Sequence, residues 1–199
     1  MNKLEGFYEL DKMNIPSVPW RHFTGEESLD PNLLWTVRAA VQTGKDFNLP
    51  RAIGVTAEEA MAQGREFLAN LAENDLVIYY PYFVAIKSGV IDIQENRTII
   101  EAVDKDLWNL TTRGHKDLTI IVNHMNNDYS TYGNSSFLEE GEVQELLKYA
   151  ARIRSAQRSA IFANSSVLVE WCYAVNTNVK REMLGEKYLV FMECRTIDT

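Results

Sequence analysis

The chain has 199 residues, with 20 Lys and Arg against 28 Asp and Glu and a formal charge of -8. That length fits a single domain, or at most two small lobes of about residues 1–75 and 76–199, and buries a core without covalent staples. The negative balance argues against nucleic acid as a partner, and two cysteines, Cys172 and Cys194, are too few for a secreted disulfide framework. No apolar run reaches the roughly 20 residues of a membrane helix, and Met1–Pro19 lacks the basic start and apolar centre of a signal peptide. The expectation is a cytoplasmic protein with no membrane partner.

In chain order, residues 3–13 read as a short helix that turns Leu4, Phe7, Tyr8 and Leu10 towards a core, ended by Pro16 and Pro19. Leu33–Ala40 is a buried strand carrying Arg38, and Val41–Gly54, with Gly44, Pro50 and Gly54, reads as a loop. Thr56 and Glu59 form a capping-box pattern for a helix reaching about Asn74, with Ala60, Phe67, Leu68 and Leu71 as its buried stripe. Leu76–Ala85 is rich in β-branched and aromatic residues and predicts one strand, with Pro81 marking an edge position or a bulge.

Gly89–Ile93 and Thr98–Val103, split by the polar turn Gln94–Arg97, predict a hairpin. Asp104–Thr112 reads as a short helix, Leu118–Val122 as a strand, and the Asn-rich stretch His124–Ser135 as a surface loop. Ser136 with Glu139 opens a second capped helix to about Ala163, whose apolar stripe includes Val143, Leu146, Leu147, Ala150 and Ile153. Val167–Ala174 and Lys187–Cys194 close the chain as a hairpin joined by Asn176–Gly185. Long helices with several hairpin-type links predict an α+β fold with a largely antiparallel sheet.

The familiar catalytic signatures are missing: no P-loop, no G-x-G-x-x-G and no G-x-S-x-G. His22, His115 and His124 are far apart and have no zinc-type spacing, and Cys172 sits among apolar strand residues, where a buried inert thiol is expected. What stands out is charge inside apolar strand runs: Arg38, Glu101, Glu170, Glu193 and Arg195. Each must face water or be paired, because burying a lone charge costs several kcal/mol, roughly. A solvent-facing position is the ordinary explanation for any one of them; five together suggest a cleft over the sheet. Two carboxylates with arginines nearby match what a magnesium–triphosphate site requires. The cluster Tyr79, Tyr80, Tyr82 and Phe83 suits either an adenine-stacking wall or ordinary core, and an exposed aromatic edge would also serve a subunit interface in a homo-oligomer.

The order of these segments resembles the ATP-binding domain of the phosphoenolpyruvate synthase and pyruvate phosphate dikinase family, a branch of the ATP-grasp superfamily. The opening K-L-E-G-F-Y-E-L-D-K-M-N-I-P-S-V-P resembles that family's start, and W-T-V-R-A-A its V-R-S-S strand. V-I-Y-Y-P-Y-F-V-A-I-K-S-G-V-I-D-I is similar to the strand pair near its adenine pocket. V-L-V-E-W followed by Y-L-V-F-M-E-C-R-T-I resembles its D-I-E-W and Y-I-L-Q-A-R-P pair, so the likeness spans nearly the whole chain.

The resemblance implies an ATP-grasp-like fold, ATP and Mg2+ as cofactors, and transfer of phosphate to a small molecule or to a separate phosphohistidine-carrier subunit. It assigns Lys3 and Arg38 to the phosphates, Tyr80 to the adenine pocket, Glu170 and Glu193 to the metal, and Arg195 to the charge developing during transfer. Leu168 departs from the pattern by standing where an aspartate is expected, and Glu193 stands where the family has glutamine. The region between Arg38 and the adenine segment is also short, at Gln42–Asp75. These departures give the alternative: a non-catalytic relative acting as a regulatory or assembly subunit.

Overall fold

The computed structural model describes residues 3–41, 49–72, 75–126 and 128–198. After helix α1 (Lys3–Lys12), strands β1 (Arg21–His22), β2 (Trp35–Ala40), β3 (Arg51–Val55) and β4 (Leu76–Pro81) form a four-stranded sheet ordered β1-β4-β2-β3. Helix α2 (Ala57–Asn70) connects β3 to β4. A six-stranded sheet ordered β10-β9-β5-β6-β7-β8 follows, built from β5 (Phe83–Ile93), β6 (Arg97–Asp104), β7 (Leu118–Asn123), β8 (Tyr129–Gly133), β9 (Ser165–Thr177) and β10 (Met183–Asp198). Helix α3 (Trp108–Thr111) lies between β6 and β7, and α4 (Glu140–Ala156) and α5 (Arg158–Phe162) lie between β8 and β9. All strand pairs within the two sheets are antiparallel, so the fold is α+β as expected, with α2 and α4 as its two long helices.

Several elements differ from the sequence expectation. Residues 51–55, read as part of a loop, form β3 against β2; the rest of that expected loop at residues 42–48 lies outside the described residues. The single strand expected over Leu76–Ala85 is cut at Tyr82, where the chain leaves one sheet for the other. Pro81 ends β4 and is paired with Trp35 of β2 on one side only, because β1 reaches no further along β4 than Tyr79, so it holds a local edge position. The Asn-rich loop contains β8, a strand exposed along its whole length. The second long helix is capped by Glu139 with Glu142 rather than by Ser136, and it breaks at Gln157. The capping box of Thr56 and Glu59 forms as read, and that helix ends at Asn70.

The layers follow from side-chain alternation. In β2 and β4, Trp35, Val37, Val77 and Tyr79 face α2 in one core cluster, while Ala40 and Ile78 face the larger sheet in another. In β9, Val167, Val169, Trp171 and Tyr173 pack beneath α4 and α5, leaving Cys172 and Ala174 on the face turned to the smaller sheet. The two sheets therefore enclose a cleft, with helices on their outer faces. Helix α1 lies along β10, an edge strand, and shields it. Its Leu4 and Phe7 enter the inter-sheet cluster and its Leu10 the outer core. Gly6 makes that approach feasible, since a Cβ there would stand 2.5 Å from the Cys194 carbonyl oxygen.

Candidate functional site

Strand β9 is buried over most of its length, and its sequence SSVLVEWCYAVNT holds one charged residue, Glu170. Alternation places Glu170 on the cleft face with Cys172. Its Cα partner across the β9–β10 pair is Glu193, and Leu168 is the partner of Arg195, so both sequence-selected carboxylates and Arg195 share one patch. A register shift between Phe191 and Glu193 makes this possible. It lets Phe191 and Cys194 enter the outer core while Glu193 turns to the cleft.

Glu193 is only 9% exposed. Its carboxylate pairs with the Arg195 guanidinium through Oε1 and with Lys3 Nζ at 3.4 Å through Oε2. Lys3 is the first residue of α1, so the packing of that helix on β10 delivers its ammonium to the patch. Arg38 sits in β2 on the face that carries Ala40, pointing from the smaller sheet towards the larger. Burial first, and then the charge of Glu193, push the Glu170 carboxyl up to about 7, against the pull of Lys3, Arg195 and Arg38. Lys3, Arg38, Glu170, Glu193 and Arg195 thus act on one another electrostatically, though they come from both ends of the chain.

Glu101, the remaining charge inside a strand run, lies outside this group. It occupies the same sheet row but is separated from Glu170 by Val90, and its partner is Lys116. Among the described residues, no group of three or more His, Cys, Asp or Glu side chains could hold a metal ion. Two adjacent carboxylates still suit Mg2+, which binds through one or two carboxylates and takes its other ligands from water and phosphate. Glu170 and Glu193 face each other across one strand pair, so the donor set fits a divalent cation.

Beside the charged patch lies a cavity of about 510 Å3 lined by Thr36, Tyr80, Tyr82, Phe83, Ser88 and Met192, among others. Tyr80 and Phe83, both in its lining, stack on each other with ring centroids 6.3 Å apart and planes inclined by 25°. Tyr79 instead is buried in the core against Phe23 and Trp35. The aromatic cluster thus divides, Tyr79 to the core and Tyr80, Tyr82 and Phe83 to the cavity, with the change of sheet at Tyr82 setting Phe83 apart from the alternation of β4. Thr36 lies two residues from Arg38 on the same face of β2, and Met192 precedes Glu193, so cavity and charged patch adjoin. Cys172 and Cys194 are buried, and burial pushes both thiols up to about 12, matching the expected inert state.

Sequence reasoning missed Ser88 and the segment Asp104–Asp106 at the cavity rim. The Ser88 hydroxyl donates to the Lys105 carbonyl at 2.5 Å, and the Lys105 amide donates to the Ile86 carbonyl at 3.0 Å. Lys105 has φ 57°, in the left-handed region. These bonds fasten the rim to an irregular point in β5, between Ala85 and Lys87. No local sequence signal marks it.

No protein-family model matches the chain, and no curated protein matches it. Among solved structures, the chain is similar to an L-amino acid ligase from Bacillus licheniformis, with 13% identity, a TM-score of 0.45, and 86% of this chain and 36% of that one covered. It is similar to the D-alanine–D-alanine ligase from Helicobacter pylori, with 10% identity, a TM-score of 0.49, and coverage of 98% and 50%. It is also similar to the macrocyclase MdnC from Microcystis aeruginosa, solved with the precursor peptide MdnA, with 6% identity, a TM-score of 0.45, and coverage of 96% and 51%. The chain spans between about a third and a half of the length of each. At these scores the likeness is one of general chain path and decides neither activity nor substrate. No helix among the described residues is long and apolar enough to cross a membrane.

Proposed function

We propose that the cleft between the two sheets binds Mg-ATP in the ATP-grasp manner and that the chain is the nucleotide-binding part of a phosphotransferase of the phosphoenolpyruvate synthase type. The observation that carries this reading is the meeting of Glu170 with Glu193 beside Lys3, Arg38 and Arg195. Tyr80 and Phe83 offer aromatic ring faces for a purine in the adjoining cavity. Lys3 and Arg38 supply cationic donors for phosphate oxygens. Glu170 and Glu193 would hold Mg2+, which when bound supplies charge neutralisation at the phosphates.

Arg195 is placed to stabilise charge on a transferred phosphoryl group, because catalysis of that transfer consists mainly of positioning and electrostatic stabilisation. The acceptor would be a small molecule or a separate phosphohistidine-carrier subunit, in a protein working in the cytoplasm. A second reading, a non-catalytic regulatory or assembly subunit, is favoured by Leu168 beside Arg195 and by the internal ion pairs that Glu193 already makes.

A thermal-shift titration tests nucleotide binding itself. Mg-ATP at 100 times its dissociation constant adds about 2.7 kcal/mol to stability. The expected result is a rise in melting temperature that requires both Mg2+ and the triphosphate. No shift at millimolar Mg-ATP removes the reading.

A further inference from the structure

On the face of the six-stranded sheet opposite the cleft, α4, α5 and the ends of β6 and β7 enclose a second cavity of about 530 Å3. Its walls are largely apolar, with Val122, Leu147, Ala150 and Ile161 inside and Phe162, 58% exposed, at the mouth. Two guanidinium groups line it as well, those of Arg154 and Arg158. Arg154 Nη2 donates to the Glu95 main-chain carbonyl at a long 3.3 Å, and the Arg158 guanidinium lies over the Phe162 ring, 5.2 Å from its centroid.

Glu95 also belongs to this lining, yet neither arginine forms an ion pair with it or with any other acid among the described residues. In a chain with a formal charge of -8, two arginines without acidic partners at one apolar cavity are an unusual placement. His124 closes one side. Its Nε2 lies 2.9 Å from Thr98 Oγ1 and its Nδ1 3.0 Å from the Glu95 carbonyl, so both ring nitrogens are engaged and the imidazole serves as wall. A neighbouring cavity shares Glu95 and Ile161 and adds Arg97, whose Nε donates to Gln94 Oε1 at 2.8 Å.

We propose that this cavity binds a small amphipathic anion: an apolar body of roughly six to ten carbons beneath a carboxylate or phosphate head held by Arg154 and Arg158. The volume lies in the range of small-molecule sites, which pair apolar walls with a few polar groups that fix orientation. Guanidinium is the cation best matched to a planar carboxylate or to phosphate oxygens. The site is separated from the nucleotide cleft by the sheet itself, and it stands whether or not the cleft binds Mg-ATP.

The test is calorimetric titration of the full chain with decanoate below its micelle-forming concentration, with decyl phosphate and 1-decanol as parallel probes. The expected result is one anion site per chain, with 1-decanol at least about tenfold weaker, since the charged head makes the strong hydrogen bonds. The preferred head, carboxylate or phosphate, identifies the ligand's chemistry. The Arg154→Gln/Arg158→Gln double variant is expected to lose at least about tenfold in affinity for the anion while keeping the melting temperature of the free protein. Ala151→Trp, at an exposed lining position, fills the mouth without changing charge and is expected to abolish binding. Absence of binding at millimolar anion, equal affinity for 1-decanol, or retained affinity in both variants overturns the proposal.

Discussion

Glu170 and Glu193 are direct partners across the β9–β10 pair, and the proton affinity of the first is raised by burial and by the charge of the second. Cross-strand like charges oppose each other. Here Lys3 and Arg195 hold Glu193 in place by ion pairs, while Arg38 acts on Glu170 from the opposite sheet. The arrangement sets burial and a neighbouring like charge against ionisation at one carboxyl group.

The first consequence is a pH dependence with a defined sign. Glu170 moves from an ordinary 4.5 up to about 7 on folding, so the folded chain binds its proton more tightly than the unfolded chain. The stabilisation is complete below pH 4.5 and is lost as pH rises through about 7. Urea unfolding of the wild type and Glu170→Gln at pH 5 and pH 8 measures this. The variant is expected to gain on the wild type at pH 8, by at most about 3 kcal/mol. A stability difference independent of pH contradicts the assignment.

Gly6 links the helix to the site. Alanine gains about 1 kcal/mol over glycine in a helix interior, but a Cβ at this position would meet the β10 backbone, which cannot yield as a side-chain tip does. Gly6→Ala is therefore expected to destabilise by about 1–3 kcal/mol and to weaken nucleotide binding by displacing Lys3. Equilibrium unfolding and a Mg-ATP titration of the same variant check both effects together.

On the outer face, Glu142 is 5% exposed and accepts hydrogen bonds from Lys87 and Lys187, each at 2.7 Å. Burial opposes its ionisation, but the bonds from Lys187 and Lys87 hold the carboxyl below its ordinary range. Glu142→Gln leaves two partly buried ammonium groups without their shared anion. The expected loss is about 3 kcal/mol, at the low end for a buried pair because both lysines keep some contact with water. The loss is present at neutral pH and shrinks as acid protonates Glu142 in the wild type. Denaturation midpoints at pH 7 and pH 3 measure it.

Tyr80 and Phe83 make a prediction about specificity. If their stacked faces receive the purine, Tyr80→Ala weakens ATP, ADP and adenosine together by roughly tenfold, a loss of about 1–2 kcal/mol in stacking. Arg38→Gln, by contrast, weakens ATP and leaves adenosine unchanged. Competition binding with the three ligands separates the two variants; equal losses across all three in Arg38→Gln contradict the phosphate role.

The charged residues of the candidate site stood out in the sequence because burial makes charge conspicuous. Glu170 within VLVEWCY and Arg38 within WTVRAA stand in runs where an unpaired charge is costly, and the structure places both at the cleft. The ion pairs of the neighbouring Glu193 were not legible, since they depend on register: Lys3 reaches Glu193 only because α1 packs on β10, and Glu193 faces the cleft only because of the shift after Phe191. The antiparallel pairing followed from hairpin spacing, yet the division into two sheets at Tyr82 did not, because Leu76–Ala85 reads as one strand across the junction. Strand β8 escaped notice because it is exposed throughout and owes its form to the backbone ladder with β7. The break at Gln157 has no proline or glycine to announce it.

The most direct measurement is calorimetric titration of ATP into the wild type and Glu170→Gln, each with and without Mg2+. The account predicts Mg2+-dependent binding at one site in the wild type, weakened at least about tenfold in the variant with its Mg2+ dependence removed. Equal affinity in the two proteins, or binding indifferent to Mg2+, contradicts a shared carboxylate site for the cation.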